Sequence, residues 1–195
     1  MKAPITIGDV FETKEGSRCQ VIEYKNSQSI TVMFLDSNKH TLIVRAHNLR
    51  TGSVKNPYHP SVFGVGYIGV GKHKVSEGRR DTDLYGRWKA ILQRCYSDKW
   101  QSKYPTYRGC TISKEWLNFQ NFADWATSQI GFGEHGWQID KDFLVAGNKH
   151  YGPDTCAIIP QRINKLMVGT DGRNGLPRGV SWHSRYNSYG VVCRD

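Results

Sequence analysis

The pattern of apolar and polar residues at the start of the chain is that of short β-strands. Three stretches are rich in β-branched and aromatic residues, and turn-forming clusters at residues 26–27 and 36–38 separate them. These stretches are residues 21–24, 29–35 and 41–45, and we expect residues 8–11 to add the first strand. We therefore predict that residues 1–56 form a small β-barrel-like module, either an antiparallel barrel or a curled sheet.

Apolar residues recur at helical spacing in two later segments. In residues 81–97 and 113–128 they fall on one face, which predicts two amphipathic helices whose apolar stripes belong to a core. Asp81 or Asp83 is suited to cap the first helix and Ser113 the second, because each side chain can accept a backbone hydrogen bond. The apolar positions are Leu84, Trp88, Ile91, Leu92 and Cys95, followed by Trp116, Phe119, Phe122, Trp125 and Ala126.

Glycine and proline concentrate between the module and the first helix, in residues 57–80. The glycines resemble a phosphate-binding loop only superficially, because no Gly-Lys-Ser or Gly-Lys-Thr ends them. We interpret this segment as a flexible, basic linker.

Residues 137–168 predict the order strand, polar loop, strand and short helix, with Pro160 suited to the first helical turn. Residues 81–168 are therefore expected to form helices plus a ββα unit. Residues 169–195 predict a basic β-hairpin tail with Asn187 and Ser188 at its turn. The fold class is α+β.

The charge favours a negatively charged partner. Lysine and arginine number 27 against 17 acidic residues, a formal net charge of +10, and aromatic residues make up 12% of the chain. Nucleic acid is the first such partner to consider, although charge can also serve solubility alone. We expect no membrane partner, because no apolar run reaches spanning length and no signal peptide begins the chain.

Five irregularly spaced cysteines fit a reducing cytoplasm better than a disulfide framework. Cys95, Cys110 and Cys156 could in principle meet a histidine around zinc. Buried unpaired cysteines are the commoner explanation of such residues.

Polar residues of the ββα segment have the composition of a Mg²⁺ site. Asp140 and Asp142 are two apart on a predicted strand and share a face, while Asn164 on the helix offers an amide oxygen. Mg²⁺, or Mn²⁺ in its place, binds such oxygens together with water. Asn148, in the loop, is placed to support the site. Equally, these residues could form a solvated strand end, a turn and a helix surface.

Several motifs resemble phage-encoded HNH homing endonucleases and their relatives. They are Tyr85-Gly-Arg-Trp88, Arg94-Cys-Tyr96, Trp116-Leu-Asn-Phe119, Ile139-Asp-Lys-Asp142, Gly147-Asn148, Tyr151-Gly-Pro-Asp-Thr-Cys156 and Ile163-Asn164. The resemblance implies a ββα-metal (His-Me finger) nuclease-like domain. Residues 176–189 resemble the start of the three-stranded DNA-binding domain of plant ethylene-response factors, truncated after its second strand.

The resemblance also implies roles for individual residues. Asp140 and Asn164 would be metal ligands and Asn148 the loop residue, while Lys141 stands where the family has its base histidine. A lysine beside carboxylates holds its proton firmly and is a poor base, so it could instead hold the water or the phosphate. His150 in the loop, and after it His135, are the substitutes nearest in sequence.

The leading hypothesis is a Mg²⁺-dependent endonuclease that hydrolyses phosphodiester bonds in double-stranded DNA. A second hypothesis is a catalytically inactive nuclease fold that binds DNA, or binds a host protein through residues 1–56. A third is a structural protein that never touches nucleic acid. We expect a cytoplasmic protein, in the host cell if a phage encodes it. The expected phosphate contacts are Arg87, Arg94, Arg108, Arg162, Arg178 and Arg185.

Overall fold

Four strands near the start of the chain pair in sequence order to form an antiparallel sheet. The computed structural model describes residues 3–162, 164 and 180–191. The strands are β1 (Val10–Glu12), β2 (Arg18–Asn26), β3 (Ser29–Phe34) and β4 (Thr41–Val44). One face of the sheet buries alternate residues, among them Val21, Ile30 and Val32, as the period-2 pattern predicts. Leu49, from α1 (Ala46–Arg50), joins the same core.

The sheet is open, so the expectation of a barrel is wrong for residues 10–44. A barrel requires its first and last strands to hydrogen bond to each other, whereas β1 pairs with β2 and β4 with β3. Register shifts between Val21 and Glu23 and between Tyr24 and Asn26 interrupt the β2–β3 ladder. Such irregularities bend a strand without closing the sheet. The alternative of a sheet rather than a barrel is the one that the structure shows.

Residues 57–80 are held by specific contacts, contrary to the expectation of a flexible linker. Backbone bonds join Tyr67 N–H to the Leu117 carbonyl and Phe119 N–H to the Tyr67 carbonyl, both within 3.0 Å. The buried Gln120 amide accepts from His73 N–H at 2.9 Å and donates to the His73 carbonyl at 3.0 Å. Two short strands, β5 (Ser76–Glu77) and β6 (Arg80–Asp81), end this segment.

The first predicted helix is α2, Asp83–Tyr96. Its cap is Thr82, whose hydroxyl accepts from Tyr85 N–H at 3.2 Å, and is neither Asp81 nor Asp83 as expected. Thr82 has extended backbone angles, and a residue at the N-cap needs such a conformation. The predicted apolar stripe is buried from Trp88 to Cys95. A short helix, α3 (Asp98–Lys103), and a 3₁₀ turn at Pro105–Tyr107 follow it.

The second predicted helix is interrupted at Asn118. Residues Lys114–Leu117 form a 3₁₀ turn, and α4 spans Phe119–Ser128. The Asn118 side chain accepts from Gln120 N–H at 3.0 Å and so caps α4, whereas Ser113 makes no side-chain cap. The aromatic stripe itself is in the core, as predicted: Trp116, Phe119 and Phe122 are fully or almost fully buried.

The remaining strands build the region around the polar loop. They are β7 (Thr111–Ile112), β8 (Trp137–Asp140), β9 (His150–Tyr151), β10 (Ala157–Pro160), β11 (Val180–His183) and β12 (Ser188–Val191). Strand β8 pairs antiparallel with β10, and β7 pairs parallel with β9. Pro160 ends β10, and the helical conformation begins only at Gln161. The tail hairpin β11–β12 turns through residues 184–187, so Asn187 lies at the turn as predicted, whereas Ser188 is already the first residue of β12.

Candidate functional site

The β8–β10 hairpin brings the predicted metal ligands to one cleft. Asp140, the last residue of β8, is paired with Ala157 of β10, and Trp137 with Pro160. The chain turns helical after Pro160 and thereby returns Asn164 to β8, where its amide donates to the Gln138 side-chain oxygen at 2.6 Å. Asp140 and Asn164 line the same cavity of about 630 Å³ between this hairpin and α2.

An adjoining cavity of about 450 Å³ continues this cleft toward the polar loop. It shares Asp140, Lys141, Asp142 and Asn164 with the first cavity. Asp140 and Asn164 therefore lie between two open spaces. A ligand that bridges the cleft would pass these two side chains.

The donor atoms of this cleft fit a hard divalent cation. The Oδ1 atom of Asn164 is buried and has no hydrogen-bond partner within the part of the chain that the structure describes, which is costly unless something else satisfies it. One Asp140 oxygen, Oδ1, accepts from Asp142 N–H at 2.7 Å and Phe143 N–H at 2.6 Å. A carboxylate and an amide oxygen completed by water suit Mg²⁺ or Mn²⁺. The described residues contain no cluster of three or more His, Cys, Asp or Glu side chains that could hold a metal.

Lys141 is built into the loop and is not free in the cleft. The residue is only 8% exposed, and its Nζ donates to Asp142 Oδ2 at 2.6 Å and to the Asn148 carbonyl at 2.5 Å. A buried ammonium has to be hydrogen-bonded in this way, because an uncompensated buried charge is expensive. Asp142 is thereby committed to Lys141 through one of its oxygens, which weakens its assignment as a metal ligand.

Asn148 ties the two ends of the same loop together. Its Nδ2 donates to the carbonyls of Lys141 and His150, both at 2.8 Å, and its Oδ1 accepts from His150 N–H at 2.9 Å. All these partners are backbone groups at the two ends of the loop. The expected supporting role of Asn148 thus takes the form of a brace between β8 and β9.

The structure does not bring His150 into the cleft. Its Nδ1 lies 2.8 Å from Thr111 Oγ1, and the ring lines a separate depression with Ser113 and Gly152. The parallel pairing of β7 with β9 sets this direction, because it places Thr111 opposite His150. His135 is exposed ahead of β8 and lines neither part of the cleft.

Two predicted phosphate contacts, Arg87 and Arg94, line the cleft. The Arg87 guanidinium lies 3.8 Å from the centre of the Trp137 ring and bonds Asp83 at 2.9 Å, so its direction is fixed. Arg94 lies over the Tyr107 ring at 5.4 Å. Burial raises the pKa of the Tyr151 phenol above its usual range, and the neighbouring Arg94 offsets part of that rise.

The other predicted phosphate contacts lie elsewhere. Arg108 follows the 3₁₀ turn Pro105–Tyr107, Arg162 lies beside the helical Asn164, and Arg185 lies in the tail hairpin; all three are exposed. Arg178 falls outside the described residues. None of the three lines the cleft of Asp140 and Asn164.

Sequence reasoning missed Gln138 as a residue of the cleft and did not place Tyr107 there. Gln138 orients the Asn164 amide and, two residues before Asp140, shares its strand face. That spacing could have identified Gln138. Tyr107 comes from a distant turn, and no local pattern predicts its place beside Asp140.

The cysteines are free thiols within the described part of the chain. Cys19, Cys95, Cys110 and Cys156 are all buried. Burial raises the pKa of Cys95 to about 12 and of Cys156 to about 11. Such thiols stay protonated at neutral pH and are therefore poor nucleophiles. The explanation as buried apolar residues is the one that fits.

Among the described residues, no helix has the length and apolar character needed to cross a membrane. Comparison of the chain with protein-family models, with curated proteins and with solved structures finds no match.

Proposed function

We propose that this protein is a metal-dependent endonuclease of the HNH type that hydrolyses phosphodiester bonds in double-stranded DNA. The observation that carries the proposal is that Asn164, whose buried Oδ1 has no hydrogen-bond partner among the described residues, lines one cleft with Asp140. Native proteins rarely leave such an atom unsatisfied, and a divalent cation is the natural partner for this donor pair.

Two arginines give the cleft the charge that a phosphodiester needs. Arg87 and Arg94 line it from α2, opposite the hairpin that carries Asp140. Their aromatic neighbours, Trp137 and Tyr107, limit the directions that the guanidinium groups can take. Fixed guanidinium groups suit phosphate oxygens because they present paired donors in a plane.

In this proposal the chain's own residues hold and orient the reactants. Asp140 and Asn164 supply the metal's protein ligands, and Gln138 fixes the Asn164 amide. Arg87 and Arg94 bind and neutralise the phosphate. A bound Mg²⁺ supplies charge neutralisation at phosphorus and a more acidic water. The described residues that line the cleft include no histidine, so none of them matches the histidine base of the resembled family.

One observation favours a second candidate, a nuclease-like protein that binds DNA without cutting it. The position that the resemblance assigns to the base histidine is filled by Lys141, which is occupied by Asp142 and Asn148. Loss of a general base typically costs about 10²- to 10⁴-fold in rate. That loss would leave phosphate binding by the arginines intact.

A supercoiled-plasmid assay with Mg²⁺, Mn²⁺ or EDTA tests the proposal. The variants are Asp140→Ala and Asn164→Ala, with Asp154→Ala as the matched control, because Asp154 is exposed and lies outside the cleft. We expect metal-dependent nicking in wild type and control, and none in the two site variants. Their DNA affinity in EDTA should stay near that of wild type.

Other results would redirect the proposal. Cutting that survives Asn164→Ala would show that the site is assigned wrongly. No nicking with either metal, together with a salt-sensitive gel shift in EDTA, would establish the binding protein instead. The logarithm of affinity should then fall by about 0.9 per neutralised phosphate for each tenfold rise in salt.

A further inference from the structure

The loop between β8 and β9 carries an apolar tip at the rim of the cleft. Phe143, Leu144 and Val145, which we call the apolar tip, are 41%, 54% and 56% exposed. No other large exposed hydrophobic residues occupy three consecutive positions in the described part of the chain. Single exposed apolar residues are ordinary, but a contiguous run marks a surface that something covers.

Several hydrogen bonds hold the loop beneath the tip. Asp140 Oδ1 accepts from the N–H groups of residues 142 and 143, and the Val145 carbonyl accepts from Asn148 N–H at 3.1 Å. Lys141 and Asn148 connect the two ends of the loop, as described above. These hydrogen bonds, which are exposed or part-buried, hold a tip that leaves about half of its own apolar surface exposed.

The tip lies beside the residues that would face the DNA backbone. Phe143 lines the adjoining cavity together with Asp140 and Asn164, and the exposed Lys149 lines it as well. A duplex whose phosphate lies at Asp140 would run past the tip, because Phe143 lines the same cavity as Asp140. The cationic surroundings and the net charge of +10 favour that polyanion over an apolar protein surface.

The chemistry of the tip excludes the reading of base edges. Residues 143–147 are Phe-Leu-Val-Ala-Gly, and none of these side chains offers a hydrogen-bond donor or acceptor. Direct readout in the major groove requires such groups, apart from contacts with thymine methyl groups. Apolar side chains instead enter the minor groove, where they part neighbouring base pairs and kink the duplex by about 20–90°.

We propose that the apolar tip is a wedge that inserts between base pairs from the minor groove of double-stranded DNA, beside the phosphate held at Asp140. The inference rests on the proposed function, because it takes DNA as the occupant of the cleft. It assigns Lys141 a positioning role: the buried ammonium holds the loop that presents the wedge.

Unwinding of closed-circular DNA tests the wedge without knowledge of a target sequence. The full-length protein is bound to plasmid in EDTA, and a topoisomerase that needs no divalent metal relaxes the DNA. Parting of base pairs reduces the linking number, which a gel of topoisomers records after the protein is removed. Binding to a short duplex is measured in the same buffer by fluorescence anisotropy.

The test variant replaces the tip by serines, Phe143→Ser, Leu144→Ser and Val145→Ser together. The matched control is Ile130→Ser, because Ile130 is 96% exposed and lies outside the loop. We expect wild type and control to lower the linking number in proportion to the number of protein molecules bound to the plasmid. The triple variant should lose at least nine-tenths of that change, while its affinity falls no more than about tenfold, because phosphate contacts dominate binding.

Each other result overturns the wedge. Wild type that binds DNA without changing the linking number excludes it, as does a triple variant that unwinds fully. Metal-dependent nicking in either case would leave the proposed function standing. Absence of salt-sensitive DNA binding by wild type would remove both proposals. If the triple variant sediments with a lower mass than wild type and still unwinds DNA fully, the tip mediates self-association and is a protein interface instead.

Discussion

Replacement of Lys141 by methionine tests whether the buried ammonium holds the loop. Methionine keeps most of the apolar volume of the lysine stem, so little of the effect should come from a cavity. What is lost is the charge, together with the bonds to the Asn148 carbonyl and to Asp142. The Asn148 carbonyl then has no ammonium to donate to it.

The magnitude follows from how exposed each partner is. The Asp142 side chain is 47% exposed, so its pairing with Lys141 contributes at most about 1 kcal/mol. A hydrogen bond from a charged donor to a carbonyl that is otherwise left unmet contributes about 1.5–3 kcal/mol. We therefore expect Lys141→Met to lower the free energy of unfolding by about 2–4 kcal/mol.

Urea denaturation followed by tryptophan fluorescence measures this loss. Lys99→Met is the control, because Lys99 is exposed on α3, and such surface changes stay within about 0.5 kcal/mol. Asp142→Asn separates the two contacts and should lower the unfolding free energy by no more than about 1 kcal/mol. A Lys141→Met variant as stable as the control would refute the reasoning that the ammonium is a structural brace.

Two further predictions address the thiols and the phosphate contacts. Burial raises the folded-state pKa of Cys156 from 9.0 to about 11, so the stability that the protonated thiol contributes is complete below pH 9 and is lost between pH 9 and 11. The free energy of unfolding in urea should therefore decline over this range, and Cys156→Ala should make the decline shallower by about 1.4 kcal/mol per pH unit. An unchanged slope in the variant would exclude this effect of Cys156. Arg87→Ala should reduce the salt dependence of DNA binding by about one phosphate, whereas Arg18→Ala, on the exposed part of β2, should not; equal slopes would remove Arg87 from the interface.

Local pattern predicted the elements that local forces determine. The helical stripe ending at Cys95 and the alternation in β3 are in the structure because each buries one face. The break at Asn118 shows where pattern fails: the apolar stripe continues through it, but an asparagine side chain competes for the backbone N–H of Gln120. The barrel expectation failed because strand pattern does not tell whether edge strands meet.

The sequence predicted several of the residues that line the candidate site, but not which groups each of them contacts. The spacing of Asp140 and Asp142 suggested two equivalent carboxylates, yet one is engaged by the buried Lys141. Which of the two carboxylates pairs with Lys141 depends on how the loop buries the lysine, and the sequence alone does not predict that burial. His150 faces Thr111 because of a parallel pairing between residues 39 apart in the chain, and no short-range rule predicts such a contact.

Two glycines in residues 57–80 limit which substitutions this segment can accept. A Cβ atom at Gly66 would lie 2.4 Å from a Leu92 methyl carbon, and one at Gly71 would lie 2.3 Å from the Gln120 side-chain oxygen. These residues are glycine because the backbone passes close to α2 and α4. In a saturation mutagenesis library, Gly66 and Gly71 should therefore be strongly depleted of other residues, although the composition of the stretch suggests a tolerant spacer. Insertions there should be rejected too, since added length would displace backbone groups already paired with Leu117 and Phe119.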